Sequence, residues 1–305
     1  MKTLDQIEKE LMQTVAGIHE PPAGAYNFRV NGKSVDRQSS KNINVEPQEN
    51  GLIITVKADT QDEVVHIPVI ISKTGHKEVV INDFYIGDNA DVTIVAGCGI
   101  YNCGPENSVH DGIHTFYVGK NAKVRYIEKH YGAGPGAGKT LNPVSKFYLE
   151  KGAYAEAELE QIRGVDSTNR ITEAELKDGA KILIREKMLT QGRQYAKSHI
   201  ETILNGKNSV ADIVSRSVAT DESRQEFTLH IEGNNLCRGH SECDAILQDN
   251  GAVLATPSLD AKHVDAQLIH EAAIGKIASE QLDKLMSLGL TQIQAESQII
   301  NGFLK

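Results

Sequence analysis

Between residues 238 and 271 the chain carries thiol, imidazole and carboxylate donors in quick succession. They are Arg238-Gly239-His240-Ser241-Glu242-Cys243-Asp244, then His263 and Asp265, then His270-Glu271. Thiolates bind soft iron and sulfur species, and imidazole or carboxylate can complete a labile shell around them. Four thiolates hold a cluster tightly, whereas a mixed set lets it go. The same composition also describes a buried cysteine among ordinary surface acids and histidines. His263, with Asp260 and Asp265 nearby, has the makings of a general base or of a group orienting a metal ligand. A histidine in such a setting is more often simply at the surface.

A second set of donors is Cys98, Cys103, His110 and His114, spaced C-x4-C-x6-H-x3-H in a Gly-rich stretch. Four such ligands can make a zinc or cluster site. The central spacing is much shorter than in a zinc finger, so two small thiols at a structural corner is the competing reading. Gly134-Pro135-Gly136-Ala137-Gly138-Lys139-Thr140 looks like a phosphate-binding loop at a glance, but Ala133 stands where the first glycine belongs. A strand pattern follows it, and a phosphate loop must open a helix. Nucleotide binding is therefore not expected at this stretch.

The elements that must position these donors are mostly strands. Leu4, Ile7, Leu11 and Val15 predict a helix over 3–16, stopped by Gly17 and Pro21-Pro22. Residues 26–50 are polar and weakly patterned, which predicts a peripheral or poorly ordered segment. From Leu52 onward come short β-type runs broken by Gly, Asn and Asp. A turn recurs within them: FYIGDNA, FYVGKNA, FYLEKGA, AELKDGA and ILNGKNS end at 90, 122, 153, 180 and 209, in steps of 32, 31, 27 and 29. Gly and Asn supply the positive φ of such turns, and the small last residue lets neighbouring backbones stack. A period of this size made of strands alone predicts a stacked β-helix rather than a sandwich, each rung burying its apolar face on the next. After Ala266 the pattern reads as helical, with Gly289 as a C-cap and Thr291 and Gln294 as a capping box. The division is an N-terminal helix and polar segment over 1–50, a β-helix core over 51–266 and a helical segment over 267–305.

Composition narrows the function. The net charge of −9 argues against nonspecific nucleic-acid binding. No apolar run is long enough for a membrane helix of about 18 residues. The first residues alternate charge with apolar side chains, so a cytosolic chain is expected. There, four cysteines are buried, reactive or metal-bound thiols rather than a disulfide framework. Tryptophan is absent and aromatics are 5%, so the core must come from Val, Ile, Leu and Ala.

GHSECDAILQDN, HEAAIGKIASEQLDKLMSLGL and IINGFLK, with GVDSTNRI, GAKILIREKMLTQG and VADIVSRSVA upstream, resemble the core of the SufB/SufD family over about residues 80–305. The resemblance implies a right-handed parallel β-helix with helical ends. It implies a scaffold role in iron–sulfur cluster assembly, with a transient cluster and a SufC-type ATPase docked on the C-terminal helices. Cys243 matches the SufB cysteine that receives sulfur and ligates the nascent cluster. Glu271 matches the carboxylate beside it, and His270 a histidine of the SufB–SufD interface. Together they make the chain SufB-like in its compact form, in which a homodimer or a SufD-like subunit supplies the second half of the site. Sulfur donors and apo-protein acceptors are the further partners implied. Two other readings stand beside it: a β-helix enzyme acting on acidic polysaccharide, and a SufD-like structural adaptor without cluster chemistry.

Overall fold

The computed structural model describes residues 4–305. Helix α1 runs over Gln6–Ala16. The Asp5 side chain accepts from the Glu8 amide, and the Glu8 carboxylate accepts from the Asp5 amide, closing a capping box. Gly17, at φ 68°, ends the helix where the sequence predicts, and Thr3 lies outside the described residues.

Strands follow in an unbroken series. The first group is β1 Ala25–Val30, β2 Lys33–Gln38, β3 Ile43–Gln48, β4 Gly51–Val56, β5 Glu63–Ile71, β6 Lys77–Ile86, β7 Asp91–Tyr101 and β8 Ser108–Val118. Then come β9 Lys123–Ala133, β10 Lys139–Leu141, β11 Val144–Leu149, β12 Tyr154–Arg163, β13 Ser167–Leu176 and β14 Lys181–Thr190. The last are β15 Tyr195–Leu204, β16 Val210–Ala219, β17 Arg224–Gly233, β18 Arg238–Leu247, β19 Ala252–Ala261 and β20 Gln267–Gly275. They alternate between two sheets, ordered β2-β1-β5-β7-β9-β12-β14-β16-β18-β20 and β19-β17-β15-β13-β10-β8-β6-β4-β3, with β11 continuing β10 between β8 and β13. All pairings are parallel except β1 with β2 and β3 with β4. The result is a parallel β-solenoid of about eight turns.

The recurring turn is its corner. Asn89, Asn121, Gly152, Gly179 and Asn208 all have positive φ, and the small residue after each is at most 1% exposed. Two positions before the last residue of each strand, Phe84, Phe116 and Phe147 stack inside at 4.5 and 4.6 Å between ring centroids. Such pairs add about 0.5–1.5 kcal/mol beyond the area they bury.

Two segments depart from the sequence reading. The polar stretch 26–50 is not peripheral coil but forms β1, β2 and β3. Tyr26, Phe28 and Val30 point from β1 into a cluster with Leu11, Met12 and Val15 of α1, while Ala25 joins the solenoid core. Both faces of β1 are thus covered, so its sequence lacks the alternation of a half-buried strand. Residues 267–275 are likewise strand, in register with β18, rather than the start of the helical segment. The helices begin later, as α2 Ser279–Ser287 and α3 Gln292–Phe303. Gly289, at φ 97°, and the Thr291–Gln294 capping box lie where the sequence predicts.

Candidate functional site

Apart from His263 and Asp265, the donors quoted between 238 and 271 gather on β18 and β20, the last two strands of the first sheet. Alternation decides where each side chain goes. Along β18, Gly239, Ser241, Cys243 and Ala245 are buried, while His240, Glu242 and Asp244 lie partly open on the outer face. The register sets Ser241 beside His270, Glu242 beside Glu271 and Cys243 beside Ala272. Cys243 and His270 therefore share the inner face, and Glu271 stands on the outer one. One sheet separates residues that the sequence places in a single set.

The inner half is a thiol held in reserve. Cys243 is 0% exposed, and its pKa is pushed up to about 12, by burial first and then by Glu186 and Asp244. A neutral thiol is a poor ligand and nucleophile until it loses its proton. Next to it His270 Nδ1 lies 2.9 Å from Ser241 Oγ, and its buried Nε2 has no hydrogen-bond partner. Burial, then His240, lowers the His270 pKa, which favours the neutral imidazole that binds metals.

Behind Cys243 a polar column runs up the solenoid interior. Ser215, beside Cys243 in the register, donates to Glu186 Oε2 at 2.8 Å, and Ser198 donates to Oε1 at 2.6 Å. Arg170, 1% exposed, lies 3.6 Å from Glu186 through Nε and donates through Nη1 to Glu128 at 2.5 Å and through Nη2 to His130 Nδ1 at 3.2 Å. Tyr126 donates to Glu128 at 2.5 Å, and so receives the Nδ1 proton of His114 at 2.8 Å; Asn82 donates to His114 Nε2. Burial opposes the charge on Glu128, but Arg170, His130 and His114 outweigh it and hold the carboxyl well below its usual range.

Of the second donor set, Cys98, His110 and His114 line one small pocket together with Glu128 and His130. Cys103 is outside it, on an exposed loop 3.6 Å from the Thr74 hydroxyl. Burial, then Glu78 and Glu128, raises the Cys98 pKa well above its usual value. In the glycine-rich stretch, Lys139 opens strand β10, not a helix, and its ammonium binds the Gly136 carbonyl and Asp166. His263 Nδ1 accepts from the Asp265 amide and serves a turn.

The outer half joins Glu271 to His240 and Glu242, two donors that the sequence reading names in the same run without giving them a role. His240, Glu242 and Glu271 present donor atoms that all lie within 4.8 Å of one another. Asp212 Oδ1 lies 2.8 Å from His240 Nδ1, and Arg185 donates to Asp212 Oδ2 at 2.7 Å. Glu242 has its pKa raised, chiefly by hydrogen bonding with Asp244, a mark of crowded carboxylates. The signal in the sequence was the i, i+2 spacing of His240 and Glu242, in phase with Asp244 and out of phase with Cys243.

The SufBD core domain of the SUF system for iron–sulfur cluster assembly matches residues 72–303. The iron–sulfur cluster assembly SufBD family protein of Methanocaldococcus jannaschii is 26% identical over 277 residues, 88% of this chain and 87% of that protein. One from Pyrococcus horikoshii is 30% identical over 240 residues, 75% of this chain and 69% of its own length. A relative of the same family in Methanothermobacter thermautotrophicus, strain Winter, is 27% identical over 245 residues, 77% of this chain; the match spans little more than half of that relative, 56%. With the solenoid and the Cys243 rung in place, the match across most of the chain shows that it belongs to the SufBD family of iron–sulfur cluster assembly proteins.

Proposed function

We propose that this chain is a scaffold subunit on which an iron–sulfur cluster is assembled, at the rung formed by β18 and β20. The observation that carries the reading is the placement of Cys243: a buried thiol one strand from the free edge of its sheet, with the neutral imidazole of His270 on the same face. Cys243 is the sulfur acceptor and first ligand, and His270 a second, weaker ligand. Glu271, across the sheet, is reached when β20 moves or when the edge of a second subunit supplies the missing donors.

The high pKa of the thiol fits this role. A thiol kept protonated and covered resists oxidation and stray metals. Iron binding itself supplies the energy to remove the proton, since a thiolate ligand must be deprotonated. What remains is access. A SufC-type ATPase docked on α2 and α3 gives a source of motion, because those helices follow β20 directly and bury almost nothing of their own: α2 has no buried residue and α3 only Ala295. A rearrangement pulled through residues 276–278 would shift β20 and uncover Cys243.

The second subunit is a copy of this chain or a SufD-like relative, joined through the free edges of β19 and β20. On this reading the work is done in the cytosol, where thiols and iron are kept reduced. No described helix is long and apolar enough to cross a membrane. The test is anaerobic incubation of the purified chain with ferrous iron and sulfide, followed by gel filtration and transfer to an apo-acceptor. The reading requires a brown chromophore that stays with the protein and then moves to the acceptor. Protein that elutes colourless, with its fold intact, sinks it.

A further inference from the structure

We propose that His240, Glu242 and Glu271 form a binding site for a single first-row divalent cation on the outer face of the first sheet, separate from the Cys243 thiol. The three are set by the most rigid geometry the fold has. His240 and Glu242 are two residues apart on β18, which puts them on one face, and Glu271 is the register partner of Glu242 on β20. Their donor atoms all lie within 4.8 Å of one another, the span of the ligands around one ion.

A different strand supplies the support a histidine ligand needs. Asp212, on β16, accepts from His240 Nδ1 at 2.8 Å, and Arg185, on β14, pins Asp212 at 2.7 Å. With its proton held at Nδ1, the ring keeps Nε2 as its lone-pair donor. This carboxylate–histidine pairing is the usual way a metal-binding imidazole is fixed and made more basic. One nitrogen and two carboxylates suit ferrous, manganous, cobaltous or zinc ions better than the all-oxygen shells of magnesium and calcium. The lack of sulfur in the set disfavours cuprous ion. Arg216, 3.8 Å from Glu242, is the counter-charge that a cation would displace. Glu271 is exposed and on the edge strand, so further coordination positions face solvent.

The site stands whether or not a cluster is built on Cys243, and the experiment keeps the two apart. Cobaltous ion is titrated anaerobically into the full chain, with visible absorption and calorimetry as readouts. One ion per chain is expected, with ligand-field bands of a nitrogen–oxygen shell and no thiolate-to-cobalt charge transfer. Cys243→Ala should bind it equally well. His240→Ala and Glu242→Gln, both at outward positions that leave the core untouched, should each weaken binding at least tenfold. Asp212→Asn keeps every ligand and should still lose about 10–100-fold. Equal affinity in the wild type and a His240→Ala, Glu242→Gln double variant overturns the proposal. So does a sulfur charge-transfer band that vanishes in Cys243→Ala.

Discussion

The two ends of the solenoid are built differently. At the first end the β1–β2 and β3–β4 hairpins finish the two sheets, α1 lies along β5, β7 and β9, and Phe28, Ile43, Ile54 and Ile70 are fully buried there. The outermost strand, β2, is short and carries Lys33, Asp36 and Arg37, which makes it a poor template for another strand. At the last end β19 and β20 terminate their sheets with long edges, and Leu254 and Ile269 are 59% and 55% exposed. A stacked fold must stop somewhere, and either stop can be sealed. This chain seals one and leaves the other apolar and open, one strand away from Cys243. The difference is the reason we propose the open end as the place where a second chain adds and where cluster chemistry happens.

That contrast can be broken or sharpened by experiment. The largest effect should come from the interior column joining the two ends. Arg170→Met leaves Glu128 and Glu186 buried without their cation, and should cost about 3–5 kcal/mol in urea unfolding. Next, the sealed end should be far more sensitive than the open one. Phe28→Ala should cost about 3 kcal/mol or more, whereas Ile269→Ser should change the stability of the monomer by about 0.5 kcal/mol at most. Comparable losses at both sites would mean that the open end is also core. A smaller effect concerns pH. Burial pulls His114 and His130 down to about 4 and about 3 from 6.5. As pH falls below 6.5 the unfolded chain takes up these protons first, so stability is complete above that pH and drains away toward pH 3. The loss has an upper bound of about 1.4 kcal/mol per pH unit for each histidine. Urea midpoints at pH 7.5 and 5 measure it, and an unchanged midpoint would mean that the histidines are charged in the fold. Least visible in the monomer, but decisive for the edge, is Ile269→Lys. It should leave melting nearly unchanged and abolish self-association in sedimentation velocity, if the edge of β20 is the joint.

Much of this was legible in the sequence because the solenoid repeats its own corner. Asn89, Asn121 and Gly152 announce the positive-φ turns, and Phe84, Phe116 and Phe147 the stack beneath them. What the sequence hid was which face each donor takes. Cys243 and Glu271 are near in sequence but belong to different strands, and only the register tells that Glu271 lines up with Glu242 and not with Cys243. The interior column was hidden for a related reason. Glu128 lies in phase with Val124 and Tyr126, and Glu186 with Ile182 and Ile184, so alternation marks both as inward; yet a buried carboxylate is expected only once its cation, Arg170, is known to lie within reach. Helical expectations for 267–275 failed because His270-Glu271-Ala272-Ala273 has good helix formers, while the edge of β18 offered a ready ladder.

The central claim is that cluster assembly depends on Cys243, a buried thiol at the open end. Anaerobic reconstitution with iron and sulfide, run side by side on the wild type, Cys243→Ala and Cys98→Ala, tests it most directly. Wild type and Cys98→Ala should come off gel filtration brown, and Cys243→Ala colourless with an unchanged circular dichroism spectrum. A Cys243→Ala chain that keeps the full chromophore would contradict the account.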